Sequence, residues 1–302
     1  MQEKVSMSDG TEIFVRVFKN SKATGVPLIL SDGLGCDGYV WKYLIPHFRK
    51  KHTVIHWNYR GHGRSSIPSD LNSIQVPKLV EDLNFLLDHL NVKNGLFCGH
   101  SMGVQVSLEA FAKIPERLAG LFLVCGGYQY PLETWHASLT QKGKSTFLNF
   151  AMKNLFHPMA KSTVNHPLVA QLCWQALVSN PLFHQAARFF ETNPRLMEKE
   201  DFVPYFDHLK RMKAKVFAQA ASSFVAHSAE PVLKSVNKPT LIVAGGKDTF
   251  SPPWLSFDMH KAIRKSELLY VPDGSHCTPL EHPELLNLRL EKFIQERIQV
   301  AS

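Results

Sequence analysis

The sequence predicts an α/β fold in which a mostly parallel central sheet is flanked by helices and carries a helical insertion. Short apolar runs, typical of buried strands, lie before and after residues 76–90, where the apolar residues recur on one face of a predicted helix. One of the strand patterns, residues 96–98, leads through a glycine-rich turn directly into another helical pattern. Helical patterns also fill the segment of about 110 residues between Gly127 and Lys238, far longer than an ordinary connection.

The strand patterns come in a regular order along the chain. Besides residues 96–98, strands are predicted over residues 11–18, 26–31, 53–57, 118–124, 240–244 and 267–271. Open parallel sheets place their functional groups in the loops that follow the C-terminal ends of the strands. We therefore expect a functional site where the loops after these runs meet.

The turn after the strand at 96–98 has the sequence Gly99-His100-Ser101-Met102-Gly103, a G-x-S-x-G pattern. A strand, a tight turn with a serine and then a helix is the setting of a nucleophile elbow. The two glycines have a steric reason, because side chains there would collide with the neighbouring strand and helix. The helix N-terminus beneath Ser101 also offers backbone donors to a developing oxyanion. Ser101 is the candidate nucleophile, and an ordinary glycine-rich turn is the alternative interpretation.

A nucleophilic serine needs a base, and the base needs an acid that orients it. Asp248 and His276 each come just past the end of a predicted strand. The order Ser, Asp, His along the chain is the one typical of sheet-built hydrolases. Asp273 is an alternative acid and His282 an alternative base. We expect Asp273 to stabilise its own turn and His282 to lie at the start of a helix.

These motifs resemble those of the α/β-hydrolase fold superfamily, and the resemblance runs nearly from end to end. Residues 57–65 are similar to the family's D-x-R-G-x-G-x-S segment, and residues 26–35 to its early strand and His-Gly loop. Residues 239–241 and 246–248 match the usual approach to the acid. The resemblance implies a serine hydrolase with a helical cap, and residues 99–103 also resemble those of monoacylglycerol lipases.

The resemblance further implies an oxyanion hole formed by the backbone amides of Leu34 and Met102. The loop departs from the family, since Asp32-Gly33 stands where His-Gly is usual. A carboxylate aimed at a developing oxyanion would repel it. We therefore expect Asp32 to face away, into backbone amides of its own loop. Asn58 also replaces the usual acidic residue of its segment, and residues 60–65 are expected to be structural.

By this resemblance, residues 1–127 and 238–302 form the α/β-hydrolase core, and residues 128–237 form a helical cap insertion with its return segment. Helices are predicted in the cap over residues 147–155, 169–177, 183–190 and 203–216. Aromatic and apolar side chains of the cap are candidates for lining an acyl pocket. Trp174 is the candidate substrate contact. The alternative is that these side chains pack the cap helices together.

The composition argues against several classes of protein. The 302 residues are 44% hydrophobic, enough for one elaborated domain with a large core. We find no apolar stretch long enough to span a bilayer and no secretory signal. The five scattered cysteines favour reduced thiols, so a cytoplasmic location is expected. Motifs for metal or nucleic-acid binding are missing, so we predict no metal, no cofactor and no nucleic-acid partner.

The positive charge is concentrated in the predicted cap. Residues 131–240 contain 13 Lys or Arg and 7 Asp or Glu, which gives a net +6 of the chain's +8. A basic surface of this kind can steer anionic substrates or contact an anionic membrane surface peripherally. The alternative is an ordinary solvated face.

The predicted chemistry is two-step acyl transfer, with Ser101 as nucleophile, His276 as base and Asp248 as the acid that orients it. The leading hypothesis is hydrolysis of a small-molecule carboxylic ester with a small or medium acyl group, and a monoacylglycerol-lipase-like role is the nearest variant. Carbon–carbon bond hydrolysis and cofactor-free perhydrolysis use the same triad. A small-molecule receptor with slow turnover is the alternative from another class.

Overall fold

The computed structural model describes residues 1–20, 23–129, 131, 154, 158, 160–163 and 165–298. An eight-stranded sheet forms its centre, in the order β1-β2-β4-β3-β5-β6-β7-β8. Its strands are β1 (Gln2–Ser6), β2 (Glu12–Phe18), β3 (Gly25–Ser31), β4 (His52–Trp57), β5 (Gly95–His100), β6 (Leu118–Val124), β7 (Thr240–Gly245) and β8 (Ser266–Val271). The pairs β1–β2 and β2–β4 are antiparallel, and the other neighbours are parallel. The predicted mostly parallel sheet is confirmed.

Side chains of the central strands alternate between two hydrophobic cores, one on each face of the sheet. In β5, Phe97 belongs to one core, whereas Leu96 and Cys98 belong to the other. In β6, Leu121 and Phe122 divide in the same way. Strands of a parallel sheet are covered on both faces, which is why their sequences are continuous apolar runs.

Helices cover both faces of the sheet. The described α-helices are α1 (Leu44–Phe48), α2 (Val76–His89), α3 (Met102–Lys113), α4 (Pro167–Val178), α5 (Pro181–Glu191), α6 (Lys199–Arg211), α7 (Ala214–Ala226), α8 (Pro253–Ala262), α9 (Thr278–Glu281) and α10 (Pro283–Phe293). Helices α2, α3 and α8 supply apolar side chains to the core around Phe97. Helices α1 and α10 supply them to the core on the opposite face.

Each predicted strand is confirmed to within two residues at either end. Strand β1 was not predicted, because its sequence Gln-Glu-Lys-Val-Ser holds only one buried apolar residue, Val5. Such a strand lies at the sheet edge and has one covered side chain, so its apolar pattern is weak.

The described part of the insertion between β6 and β7 is helical. Helices α4 and α5 match the patterns predicted over 169–177 and 183–190. The prediction over 147–155 lies outside the described residues apart from Asn154. The single helix predicted over 203–216 is wrong, because Met212 and Lys213 have extended backbone angles and divide it into α6 and α7. The Gln171 side chain accepts from the Ala214 amide at the start of α7 (3.0 Å) and so supplies a cap from another helix.

Among the described residues, no helix combines the length and apolarity needed to cross a bilayer. The division into core residues 1–127 and 238–302 and cap residues 128–237 stays a prediction. Residues 128–237 are called the inserted segment.

Candidate active site

The turn between β5 and α3 holds Ser101 in a strained backbone conformation. Its φ of 55° and ψ of −118° lie in a region that residues with a side chain rarely adopt. The flanking glycines make this turn possible. A Cβ atom on Gly99 would lie 2.2 Å from the Gly103 carbonyl oxygen, and one on Gly103 would lie 2.2 Å from that of Ser31. Backbone packs against backbone on both sides of the serine, as the G-x-S-x-G pattern predicts.

Asp248 follows β7 and His276 follows β8, two strands that are neighbours in the sheet. His276 Nδ1 lies 3.0 Å from Asp248 Oδ2 and 3.1 Å from Oδ1, and both residues are buried. The backbone amides of Phe250 and Ser251 donate to Asp248 Oδ1 (2.9 and 2.8 Å), which fixes the carboxylate. Since Nδ1 donates to the carboxylate, His276 Nε2 is left free to accept a proton.

His100 joins the base loop to the serine turn. Its Nε2 donates to the backbone carbonyl of His276 (2.9 Å), and the two rings lie 4.9 Å apart. Burial lowers the pKa of His100 to about 3, so its ring stays neutral. Because Ser101 directly follows His100, this bond brings the serine turn against the His276 loop.

The two alternative residues of the sequence analysis, His282 and Asp273, pair with each other. His282 Nε2 is 3.2 Å from Asp273 Oδ1, and that aspartate is half exposed. His282 precedes α10, at the helix start expected for it.

The electrostatics of the His276–Asp248 pair favour a charged imidazole. Burial of the ring lowers the pKa of His276, but the negative charge of Asp248 and its hydrogen bond outweigh burial and raise it. Glu191 and Glu281 add smaller effects in the same direction. This arrangement stabilises an imidazolium at the position where a general base would form one.

The loop after β3 places Asp32 with its carboxylate in a buried side-chain network. Asp32 Oδ1 accepts from Trp41 Nε1 (2.8 Å), and Oδ2 accepts from His56 Nε2 (2.7 Å). Burial alone would raise the pKa of Asp32, but the electrostatic interaction with His56 and these hydrogen bonds keep it below its ordinary value. The expectation that Asp32 binds amides of its own loop is therefore wrong. Two side chains from other parts of the chain satisfy it instead.

The backbone amides of Leu34 and Met102 are free to bind another acceptor. Met102 begins α3, so its amide has no acceptor within the helix, and within the described residues neither amide donates to a protein group. The turn that carries Leu34 is tied to the inserted segment, because His208 Nδ1 donates to the Gly35 carbonyl (2.8 Å). His208 Nε2 accepts from the Gly63 amide (2.7 Å).

This combination of sheet order, strained serine turn and His–Asp pair agrees with what sequence comparison finds. The sequence profile described as "alpha/beta hydrolase fold" matches residues 26–283. The chain belongs to the alpha/beta hydrolase fold family. It is 24% identical over 273 residues to 3-oxoadipate enol-lactonase 2 of Acinetobacter baylyi, covering 89% of this chain and 88% of that enzyme. Hydrolase activity is supported by these family relationships.

Solved structures show the same fold. The enol-lactonase from Burkholderia xenovorans LB400 superposes with a TM-score of 0.77 at 19% identity, over 97% of this chain and 100% of that one. A thermophilic esterase from Thermogutta terrifontis gives 0.76 at 20% identity, over 98% of both chains.

Sequence reasoning missed a buried carboxylate that supports the His276 loop of this hydrolase. Glu281 Oε2 accepts from the Ser275 amide (2.7 Å), and Oε1 accepts from the Ser275 hydroxyl and from the Asn193 amide (2.5 Å). Asn193 Nδ2 also donates to the Asp273 carbonyl (2.9 Å). Glu281 thus joins the loop that precedes His276 to the inserted segment. Its place in Thr278–Glu281, a one-turn helix, gives no sequence signal for this role.

Glu191, at the end of α5, is a second residue that the sequence analysis missed. The Phe190 carbonyl accepts from Thr249 Oγ1 (2.9 Å), next to Asp248. The Glu191 carbonyl lies 2.9 Å from Ser275 Oγ, next to His276, and shares the single hydroxyl proton with the Glu281 carboxylate. Desolvation raises the pKa of the Glu191 carboxyl to about 7. The charge on His276 opposes this increase, and the charge on Asp248 adds to it. The inserted segment therefore places a titratable acid beside the His–Asp pair.

Trp174 lies between helices of the inserted segment. Its Nε1 donates to the Leu209 carbonyl (3.0 Å), and its ring packs 4.7 Å from that of Phe217. These contacts join α4 to α6 and α7. Substrate contact by Trp174 stays a prediction.

Residues 60–65, which follow β4, have the structural contacts that were expected. Arg60 is fully buried and donates to Asp82 through Nε (2.5 Å) and Nη2 (2.6 Å). It also donates to Asp9 (2.5 Å) and Ser73 (3.0 Å). Asn58 supports the same loop, since its Oδ1 accepts from the Arg64 amide (3.1 Å).

Proposed function

We propose that this protein is a serine hydrolase that cleaves carboxylic esters through Ser101, His276 and Asp248. The observation that carries the proposal is the combination of a strained Ser101 backbone with the buried His276–Asp248 pair. Strain at a residue other than glycine persists where the surrounding structure over-determines it, and such strain clusters at active sites. The free Nε2 of His276 and the charge of Asp248 supply the base that a serine needs.

In the first step, Ser101 Oγ attacks the carbonyl carbon of the ester while His276 Nε2 takes the hydroxyl proton. Asp248 holds the imidazole in the tautomer with the proton on Nδ1 and stabilises the imidazolium that forms. The tetrahedral intermediate collapses as His276 returns the proton to the leaving alkoxide, which departs as an alcohol. Ser101 then carries the acyl group as an ester.

The negative oxygen of the tetrahedral intermediate is bound by the amides of Leu34 and Met102. Both amides are unused by described protein groups, and Met102 lies at the positive end of the α3 dipole. Each such donor contributes about 3 kcal/mol to transition-state stability. The Asp32 carboxylate accepts from Trp41 and His56, and these hydrogen bonds offset its repulsion of the oxyanion.

In the second step, His276 Nε2 takes a proton from water, and the hydroxide attacks the acyl carbon. Collapse of this intermediate returns the proton to Ser101 Oγ and releases the carboxylic acid. Residues 128–237 act as a cap over the site, because α5 contacts the loops that hold Asp248 and His276. The compared proteins include an enzyme named as an enol-lactonase and one named as an esterase, and a lactone is a cyclic ester.

The test is hydrolysis of p-nitrophenyl esters with acyl chains from acetyl to palmitoyl, by the intact protein and by Ser101→Ala. We expect turnover that favours short or medium chains and falls at least about 10³-fold in the variant. Ser6→Ala, which removes an exposed hydroxyl from β1, is the matched control and should keep full activity. A fluorophosphonate probe should label the parent and the Ser6 control but leave the Ser101 variant unlabelled.

Full activity in a folded Ser101→Ala variant would refute the proposed nucleophile. Absence of both turnover and labelling in the parent protein would refute ester hydrolysis through Ser101. That result would favour the alternative function, a small-molecule receptor, which ligand-dependent increases in Tm would detect.

A further inference from the structure

Residues 162–187 contain no Asp, Glu, Lys or Arg, although they belong to the most basic part of the chain. Helix α4 lies within this uncharged stretch and packs inward through polar and aromatic side chains. Trp174 Nε1 donates to the Leu209 carbonyl (3.0 Å), and Gln175 Nε2 donates to the Lys210 carbonyl (2.8 Å). The polar side chains of α4 therefore face the protein.

The outward face of α4 is apolar. After Pro167, the exposed side chains of α4 are those of Leu168, Val169, Leu172, Cys173, Ala176 and Leu177. They recur at the spacing of one helical face. Leu168 is 81% exposed and Leu172 is 71% exposed. Scattered single leucines are ordinary on a surface, but a whole helix face of this composition marks an interaction site.

Helix α5 extends the apolar surface. His184 turns inward, where its ring stacks 3.9 Å from Phe206 and its Nε2 donates to the Val178 carbonyl (2.6 Å). Leu182 and Phe189, on the outer side, are 71% and 72% exposed. The outward apolar side chains of α4 and α5 are together called the docking face.

A basic stretch of the chain runs beside α4. The Lys210 carbonyl and the Ala214 amide both bond to side chains of α4, so the stretch 210–215 runs alongside this helix. This stretch contains Lys210, Arg211, Lys213 and Lys215, and the sequence has no acidic residue from 208 to 229. Lys210 pairs with Asp207 (3.5 Å), so the exposed Arg211, Lys213 and Lys215 supply the positive charge close to the docking face.

We propose that the docking face binds the surface of an anionic lipid bilayer. Leucine and phenylalanine side chains enter the boundary between head groups and acyl chains, and the bordering lysines and arginine meet lipid phosphates. Stable attachment needs two such signals, and this surface offers both. A symmetric contact with a second copy is disfavoured, because it would bring the exposed Arg211, Lys213 and Lys215 of both copies together.

The experiment is flotation of the intact protein with vesicles of phosphatidylcholine and of an equimolar mixture with phosphatidylglycerol. We expect binding to the anionic vesicles that weakens as salt is raised. The double variant Leu172→Ser with Leu182→Ser should bind at least about tenfold more weakly. The matched control, Leu285→Ser with Leu288→Ser, removes exposed leucines of α10 and should bind like the parent.

A triple variant, Arg211→Gln with Lys213→Gln and Lys215→Gln, tests the charge. At about fivefold for each basic side chain, binding to anionic vesicles should fall about a hundredfold. Thermal melts establish that all variants are folded, and light scattering after gel filtration gives their mass. These readouts do not depend on any hydrolytic activity.

Three results would overturn the proposal. The first is a failure of the parent protein to bind anionic vesicles at low salt. The second is vesicle binding that the leucine double variant leaves unchanged. The third is a dimer of the parent that dissociates in the leucine double variant, with no vesicle binding, which would assign the docking face to a second copy.

Discussion

Replacement of Glu281 by glutamine perturbs the loop that holds His276 without substituting His276, Asp248 or Ser101. The carboxylate is 7% exposed and accepts hydrogen bonds from two buried backbone amides, those of Ser275 and Asn193. Glutamine has one acceptor oxygen, so its NH₂ group must face one of these N–H donors. A charge-assisted bond is lost there, and a buried donor is left unpaired.

The cost follows from those contacts. One unpaired buried donor and one lost charge-assisted bond together destabilise the fold by about 2–4 kcal/mol. In a chain of 302 residues, that change lowers the Tm by roughly 3–6 °C. Since Ser275 adjoins His276, we also expect displacement of the imidazole. A misplacement near 1 Å costs about a hundredfold in rate, so kcat on a p-nitrophenyl ester should fall between about 10- and 100-fold with little change in KM.

The measurements are a calorimetric melt and steady-state kinetics of the same preparation. Glu284→Gln is the matched control, since it makes the same change on an exposed side chain at the start of α10. The control should keep both Tm and kcat. A Glu281→Gln variant that melts within about 1 °C of the parent and keeps its kcat within about twofold would refute a supporting role for this carboxylate.

Three further predictions concern the base, its electrostatic neighbours and the core. Asp248→Asn should lower kcat by about 10⁴-fold, because the imidazole adopts the wrong tautomer, and circular dichroism should show the native fold. In Glu191→Gln the nearby negative charge that raises the pKa of His276 is gone. The rising limb of kcat/KM against pH should then move to lower pH, and an unmoved limb contradicts the coupling. Asp82→Asn leaves the Arg60 guanidinium partly unpaired in the core. Urea titration should show a loss of about 3–5 kcal/mol in the free energy of unfolding, with ester hydrolysis by the folded protein unchanged.

The sequence predicted those parts of the fold and site whose signal is local. Buried parallel strands produce apolar runs, so their positions were found to within two residues. The serine turn was found because both of its glycines are required by backbone atoms within a few ångströms. The Asp248–His276 bond was predicted from two loops that follow strands, since adjacent parallel strands bring their C-terminal ends together.

Contacts between distant segments left no such signal. Glu281 and Asn193 are 88 residues apart, and nothing in either local sequence marks a buried carboxylate that joins them. The break at Met212 and Lys213 has no glycine or proline. It is accompanied by a hydrogen bond from the Ala214 amide to Gln171 on α4, so tertiary contact overrides local helical spacing.

Asp32 shows how a departure from a family pattern is compensated elsewhere in the fold. Arg16 Nη2 lies 3.0 Å from His56 Nδ1, and a guanidinium only donates, so His56 must accept at Nδ1 and carry its proton on Nε2. That Nε2–H points to Asp32, whose other oxygen accepts from Trp41. The neutral His56 imidazole thus bridges the positive Arg16 and the negative Asp32 through two hydrogen bonds. The charge of Asp32 is buried in the core. An aspartate at this position is compatible with an oxyanion site because His56 of β4 and Trp41 satisfy its carboxylate and Arg16 of β2 supplies a nearby positive charge.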